Sequence, residues 1–281
     1  MIRKSISKIM KKHLYFLTLA LICSVTIAYA QTKETSNVGT FTKISFRVPG
    51  KVYLRQGSPQ KVEIEGKKDV LAEVETNVEG GRLVIGKEGK WSNWNWRDGD
   101  EVTVYITMKD VEGIGVSGSG DVIGETKIIA NDLDLNVSGS GNLKIEAEAS
   151  GDIEGDVSGS GDLILKGKCK SFDSDVSGSG KVVLTLNIAE QADLGISGSG
   201  KIEASGTAAS VRTSISGSGK VMAANLETDR CEIRISGSGD VEINVKSEID
   251  ATISGSGTVS YKGNPSKVNS HSSGSGSLRK M

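Results

Sequence analysis

From residue 113 onwards, apolar residues occupy alternate positions, which is typical of β-strands with one buried face. A tetrapeptide, Ser-Gly-Ser-Gly, interrupts the alternation nine times. Apolar residues recur one residue before the first serine, five residues before it and five residues after it. The first of these columns is β-branched throughout and consists of Val116, Val137, Val157, Val176, Ile196, Ile215, Ile235 and Ile253. All three columns share one parity, so each repeat is predicted to contain two inward-facing strands.

The tetrapeptides are separated by 18 to 21 residues, from Ser117 to Ser273. This period is too long for a nonapeptide calcium repeat and too short for a propeller blade or a pair of helices. It fits one coil of a β-solenoid. The prediction is therefore an all-β, single-stranded parallel β-helix with about 20 residues per coil. Parity places both glycines of the tetrapeptide inside and both serines outside, and the glycines allow a sharp corner there.

The first 30 residues are predicted to be a secretory signal peptide. Basic residues are followed by an apolar run over residues 14–27 and by the small-residue pattern Ala28-Tyr29-Ala30. Cleavage is expected before Gln31, because the apolar run is short for a membrane span and leads into an A-x-A site. The mature chain is expected to be exported and to carry no transmembrane segment.

The remaining chain divides by regularity into residues 31–110 and residues 111–281. The first part is predicted to form atypical β-rich coils with a tryptophan-containing insertion. Residues 48–52 and residues 78–83 resemble the repeat corner in shortened form and are predicted to be degenerate copies of it. Residues 111–281 are predicted to form the regular coils, and Ser272 replaces the aliphatic residue before the last tetrapeptide, so a frayed final copy is expected.

Composition excludes several classes of protein. Removing residues 1–30 takes away five of the 34 basic residues and no acidic residue, so the net charge goes from −1 to −6. Nucleic acid is therefore not an expected partner. Cys169 and Cys231 are expected to be small apolar filler rather than a disulfide framework.

The mature chain has a single histidine, His271, which lies in the last copy of the repeat. A Ser-His-Asp triad or a multi-histidine metal site cannot be built from it in the usual way. Residues 113–118 match G-x-G-x-x-G, but the pattern enters a further corner and no helix follows it. The sequence therefore predicts no enzyme, no cofactor and no metal.

Acidic side chains are the remaining candidates for catalysis. Five of them are expected on the outer face of adjacent coils, namely Asp152, Glu154, Asp156, Asp173 and Asp175. Two of these carboxylates could act together in a carbohydrate-active enzyme. The favoured interpretation is a solvated acidic strip, because strands of period two align polar residues automatically.

All three tryptophans lie close together in the insertion, as Trp91, Trp94 and Trp96. Tryptophans on a loop can stack on sugar rings or anchor a protein partner, since each buries a large area and keeps a hydrogen-bond donor. The alternative is that they cover the open end of the solenoid.

The pattern over residues 41–57, the segment 80–85, the strand 104–107 and the serial Val/Ile-Ser-Gly-Ser-Gly motif resemble the "putative auto-transporter adhesin, head GIN domain" family. The resemblance covers nearly the whole mature chain. It implies a right-handed parallel β-helix in a secreted or cell-envelope protein of Gram-negative bacteria. It supplies no catalytic residue that matches this chain.

Three hypotheses follow for the function. The first is a non-enzymatic adhesin that binds a glycan or an envelope protein, in the periplasm or at the cell surface. The second is a carbohydrate-active enzyme that uses the outer carboxylates. The third is a self-assembling envelope protein, because the ends of a solenoid expose strand edges that pair with another copy.

Overall fold

The computed structural model describes residues 32–86, 96–97 and 99–281. Its N-terminal elements are β1 (Thr32–Thr35), β2 (Lys43–Phe46), β3 (Gly50–Gln56), β4 (Lys61–Gly66), α1 (Lys68–Leu71), β5 (Glu75–Glu79), β6 (Arg82–Gly86) and β7 (Val102–Met108). The strands that follow are β8 (Gly113–Gly118), β9 (Asp121–Gly124), β10 (Ile128–Ala130), β11 (Leu133–Gly139), β12 (Asn142–Ala149), β13 (Asp152–Gly159), β14 (Asp162–Cys169) and β15 (Ser171–Gly178). The last strands are β16 (Lys181–Gly198), β17 (Lys201–Gly217), β18 (Lys220–Gly237), β19 (Asp240–Gly255), β20 (Thr258–Lys262), β21 (Lys267–Gly274) and β22 (Ser277–Lys280).

Each regular coil contributes one strand segment to each of two sheets. In the first sheet, β11 pairs with β13 and β13 with β15, all in parallel. In the second sheet, β12 pairs with β14 and β14 with β16, also in parallel. From β16 to β19, single long strands run through both sheets. Val137 pairs with Val157 and Val157 with Val176, so equivalent residues stack at the predicted interval. The chain is a β-solenoid with about 20 residues per turn, as predicted.

The predicted apolar columns form the core. The β-branched column from Val116 to Ile253 is at most 3% exposed. Phe172 is the large member of a neighbouring column and is 1% exposed. A Cβ on Gly155 of the previous coil would lie 3.3 Å from the ring of Phe172, so the missing side chain makes room for it. The last copy is open as expected, since Val268 is 45% exposed.

The Ser-Gly-Ser-Gly segments are corners, as predicted, and their two glycines have different roles. Gly139 has a φ of +119°, which side-chain-bearing residues rarely adopt. Gly141 is needed because a Cβ there would lie 2.1 Å from the Gly120 carbonyl oxygen of the coil beneath. The N–H groups of Ser140 and Gly141 donate to the Gly118 oxygen at 2.8 and 2.9 Å. The backbone of one corner therefore rests directly on the backbone of the next.

The coil formed by β2 and β3 has a different register from the predicted one. Phe46 pairs with Val116 and Val52 pairs with Val122, so Phe46 occupies the β-branched column and no residue is missing. The alignment of Val48 with that column was wrong by two residues. Phe46 and Val48 have the same parity and both are buried, so the alternation alone does not distinguish them.

The second predicted echo, over residues 78–83, is a hairpin and not a coil corner. β5 and β6 are antiparallel, and Gly80 and Gly81 between them have φ values of +55° and +76°. Two consecutive positive φ values are typical of a type I′ turn. Antiparallel pairing also joins β1 to β4 and β4 to β7. β1, β4 and β5 therefore add to the sheets without continuing the coils.

The N-terminal coils are stacked in an order that differs from the sequence. β2 pairs with both β6 and β8, and β3 pairs with both β7 and β9. The coil of β2 and β3 therefore lies between the coil of β6 and β7 and the coil of β8 and β9. The coil of β6 and β7 is the outer of these three, although β6 and β7 follow β2 and β3 along the chain. β6 and β7, which flank the predicted tryptophan segment in the sequence, belong to this outer coil.

Substitution of Gly141 by Ala is expected to destabilise the protein by about 3 kcal/mol or more, because the added Cβ has to displace backbone rather than a flexible side chain. Urea denaturation followed by circular dichroism measures the change. Ser140→Ala in the same corner is the control and should be nearly neutral, since Ser140 is exposed. Equal stability of the two variants would contradict the role assigned to Gly141.

Thr213→Val is expected to stabilise the protein by about 1 kcal/mol. Thr213 is 1% exposed, and its Oγ1 has no hydrogen-bond partner in the described part of the chain. Ser174 lies in the same inward column but donates to the Gly155 carbonyl oxygen at 2.5 Å, so Ser174→Ala should destabilise. Paired urea titrations check the opposite signs, and a loss of stability in Thr213→Val would contradict the prediction.

Candidate functional site

Of the three residues in the predicted tryptophan site, the structure describes only Trp96. Trp91 and Trp94 lie outside the described residues. Trp96 is half-buried and packs against the hydrophobic core. At this residue the connection between β6 and β7 is joined to the body of the solenoid, so Trp96 has a packing role whatever else it contacts.

Asp100 fixes the same end of this connection. Its carboxylate accepts a hydrogen bond from Lys67 Nζ at 2.6 Å and another from the Arg97 backbone N–H at 2.8 Å. The side chain of Asp100 is 7% exposed, and the hydrogen bond from Lys67 is the largest cause that holds its pKa below the ordinary value. Lys67 immediately precedes α1. The bonds thus attach the segment before β7 to the segment before α1.

Two stacked tyrosines lie on the outer face of the second sheet, and the sequence analysis missed them. The ring centroids of Tyr53 and Tyr105 are 5.6 Å apart, with 17° between the planes. Lys33 Nζ lies 4.7 Å from the centroid of Tyr105, which gives a cation–π contact. The signal was available, because each tyrosine lies between two aliphatic residues in a strand, Val52 and Leu54 or Val104 and Ile106.

The acidic strip is formed where the sequence predicted it, on adjacent coils of the first sheet. Glu154 pairs with Asp173, and the Asp175 N–H donates to Asp156 Oδ1 at 2.9 Å. Burial raises the pKa of Asp173, and the neighbouring carboxylates raise it further. Burial is also the main cause that raises the pKa of Asp156. The strip therefore concentrates negative charge while one of its carboxylates binds the backbone of the next coil.

At other places on the surface, carboxylates form ion pairs with nearby lysines. Glu148 lies between Lys127 at 2.6 Å and Lys168 at 2.9 Å. Glu203 lies between Lys181 of the previous coil at 3.1 Å and Lys201 of its own strand at 2.7 Å. The hydrogen bonds from these lysines are the leading causes that lower the pKa values of Glu148 and Glu203. Except for Lys201 and Glu203, the paired residues are 20 to 22 positions apart in sequence and meet because the coils stack in register.

The other titratable candidates are inert or isolated. Cys169 and Cys231 are free and buried, and burial raises their pKa values to about 11 and about 12. His271 is exposed on β21. Within residues 32–86, 96–97 and 99–281, no three His, Cys, Asp or Glu side chains are grouped closely enough to hold a metal ion. No helix in that part of the chain is long and apolar enough to cross a membrane.

The stacked coils define a β-solenoid protein, and comparison with known proteins identifies its family. The family model described as "Putative auto-transporter adhesin, head GIN domain" matches residues 40–198 and again residues 180–265. The chain belongs to this family, as the motif predicted. No curated protein matches the chain.

Solved structures share the fold at low sequence identity. A putative lipid binding protein from Parabacteroides distasonis ATCC 8503 is 21% identical, with a TM-score of 0.67 over 90% of this chain and 98% of the other. A putative adhesin from Parabacteroides merdae ATCC 43184 is 20% identical, with the same TM-score over 90% and 97% of the two chains. A second putative adhesin, from Parabacteroides distasonis ATCC 8503, is 17% identical, with a TM-score of 0.67 over 90% and 98%. These likenesses show the fold alone.

Asp173→Asn is expected to raise the melting temperature by about 1–2 °C at neutral pH and to have less effect as the pH falls. The pKa of Asp173 is raised in the folded state, so its ionised form destabilises above that pKa, and the cost disappears once the group is protonated. Thermal melts from about pH 4 to pH 8 measure the difference between variant and wild type.

Asp250→Asn is the control for this experiment, since Asp250 occupies the same column of the first sheet several coils away. The difference in melting temperature between Asp250→Asn and wild type should not shrink as the pH falls in the way expected for Asp173→Asn. A difference for Asp173→Asn that stays constant over the whole pH range would contradict the assigned repulsion.

Proposed function

We propose that this protein is an exported, non-enzymatic adhesin of the cell envelope that binds a glycan or an envelope protein through the connection between β6 and β7. The proposal is supported by the position of β6 and β7, the strands on either side of this connection, in the outer N-terminal coil.

Family membership and the signal-like residues 1–30 support the adhesin assignment and export to the periplasm or cell surface. The right-handed winding of the coils is part of the same proposal. Parallel strands joined by a crossover within one sheet are right-handed in about 98% of cases, because the strand twist favours that hand.

The attachment of the connection supports a role for its tryptophans in recognition. Asp100 is held by Lys67 and by the Arg97 N–H, and Trp96 packs on the core. A binding segment whose base is fixed in the free protein loses less conformational entropy when it binds. Trp96 is assigned to this anchoring, and Trp91 and Trp94 are assigned to contact with the partner.

The double variant Trp91→Ala/Trp94→Ala is expected to weaken binding to a glycan array or to purified envelope proteins by about 30-fold, the loss typical of a tryptophan hot spot. Trp96→Ala should instead lower the melting temperature, since Trp96 packs against the core. Surface plasmon resonance of the chain from Gln31 measures the affinities.

The control for this experiment is Tyr261→Ala, which removes an aromatic residue from β20 in the C-terminal coils. It should leave the affinity unchanged. Binding that survives in the double variant, or no binding by the wild type to any glycan or envelope protein, would overturn the assignment of the tryptophan segment.

A further inference from the structure

A groove of about 780 Å³ lies on the outer side of the first sheet, where β8 and β11 begin. One wall is formed by residues 110–112 before β8, and the other by residues 129–134 around the start of β11. Lys43 of β2 and the acidic side chains Asp152 and Glu154 of β13 complete the lining. Coil stacking therefore brings four separate segments of the chain into one groove.

Gln56, the last residue of β3, ties the two walls together. Its Nε2 donates to the Lys109 carbonyl oxygen at 3.0 Å and to the Ile129 carbonyl oxygen at 2.9 Å. In return, the Ile129 N–H donates to Gln56 Oε1 at 2.7 Å. One side-chain amide thus satisfies the backbone of both walls and fixes their separation. The two walls are therefore held by hydrogen bonds within the chain.

The same hydrogen bonds determine the direction of the Ile129 side chain. Ile128 is fully buried and Ile129 is 56% exposed, as alternation along β10 requires. A single exposed isoleucine is ordinary on a protein surface. This one is fixed by its backbone at the edge of a charged groove, so it offers an apolar contact at a defined place.

Negative charge dominates the groove. Six carboxylates line it against one lysine, Lys43. Two of them already accept hydrogen bonds: Glu112 from the Thr42 hydroxyl at 2.9 Å, and Asp132 from the Asp152 N–H at 2.9 Å. None of the six carboxylates forms an ion pair within residues 32–86, 96–97 and 99–281.

This charge contrasts with other parts of the surface, where lysines bracket carboxylates such as Glu148 and Glu203. Asp134 and Glu154 pair directly across β11 and β13, and like charges at such positions destabilise a sheet. A cationic partner that enters the groove would remove this cost. The complementary ligand is therefore basic, with an apolar group placed to meet Ile129.

We propose that the groove binds a short segment of a partner polypeptide in which basic side chains flank an apolar one. The basic side chains pair with Asp134 and Glu154, the apolar side chain packs on Ile129, and Gln56 is the positioning residue that holds the walls. The groove is lined by β2, β8, β10, β11 and β13 and their flanking residues, so the proposal is independent of the tryptophan segment.

Fluorescence anisotropy with a labelled Lys-Leu-Lys-Leu-Lys peptide tests the proposal on the chain from Gln31. The double variant Asp134→Asn/Glu154→Gln should bind about 10-fold more weakly, as expected for the loss of two partly exposed charge pairs. Ile129→Ser should also weaken binding, by about 3-fold or more, and wild-type affinity should fall as salt rises.

Gln56→Ala tests whether Gln56 positions the groove walls for binding or only stabilises the fold. If Gln56 sets the width of the groove, its loss should weaken binding of the peptide and reduce the difference between wild type and Ile129→Ser. Asp250→Asn, in the same column of the first sheet but outside the groove, is the matched control and should bind as wild type does. Trp91→Ala/Trp94→Ala should also bind the peptide normally, which separates this result from a failure of the adhesin proposal.

Equal affinity of wild type and Asp134→Asn/Glu154→Gln, or no binding at peptide concentrations up to about 1 mM, would overturn the proposal. So would an equally tight complex with spermine, because a polyamine has the positive charge but no apolar side chain to pack on Ile129.

Discussion

Close contact between the backbones of successive corners is the constraint on which the rest of the solenoid depends. The Gly118 oxygen accepts N–H groups from Ser140 and Gly141, and no room exists for a Cβ at Gly141. This contact returns the chain to the same position after every coil. The inward columns exist because of that return, and the differences in coil length are absorbed away from the corner by register shifts, as between Ile188 and Gln191.

The N-terminal region keeps the same packing with a different chain path. Its corner between β2 and β3 preserves the pairing of Phe46 and Val52 with the regular columns, although it lacks the tetrapeptide. The following coil is added on the far side of it, and the antiparallel strands β4 and β5 extend the two sheets there. Antiparallel additions lengthen a sheet without another corner, so the connections in this region are free to vary. The tryptophan segment occurs in one of these connections.

Most of the regular coils could be predicted from the sequence, because a period-two pattern and a repeated glycine corner leave one arrangement. The path of the N-terminal coils could not be predicted in this way. Phe46 and Val48 share a parity, and Gly80-Gly81 fits both a corner and a hairpin turn, since each needs positive φ. The contact of Gln56 with Ile129 joins residues 73 positions apart and follows only from the exchanged order of the coils. The tyrosine stack was recognisable, because both residues have the same aliphatic neighbours.

The distribution of charge links this architecture to binding. A solenoid places every outer residue about 4.8 Å from its counterparts on the neighbouring coils, so charged residues in one column form either ion pairs or like-charge contacts. Ladders such as Lys127, Glu148 and Lys168 hold neighbouring coils together. The groove carboxylates do not, and their repulsion costs stability in the free protein. That cost is tolerable only because the corners, and not the outer side chains, hold the coils in register. A fold stabilised by its backbone and its narrow apolar core can therefore leave an outer face uncompensated and available to a partner.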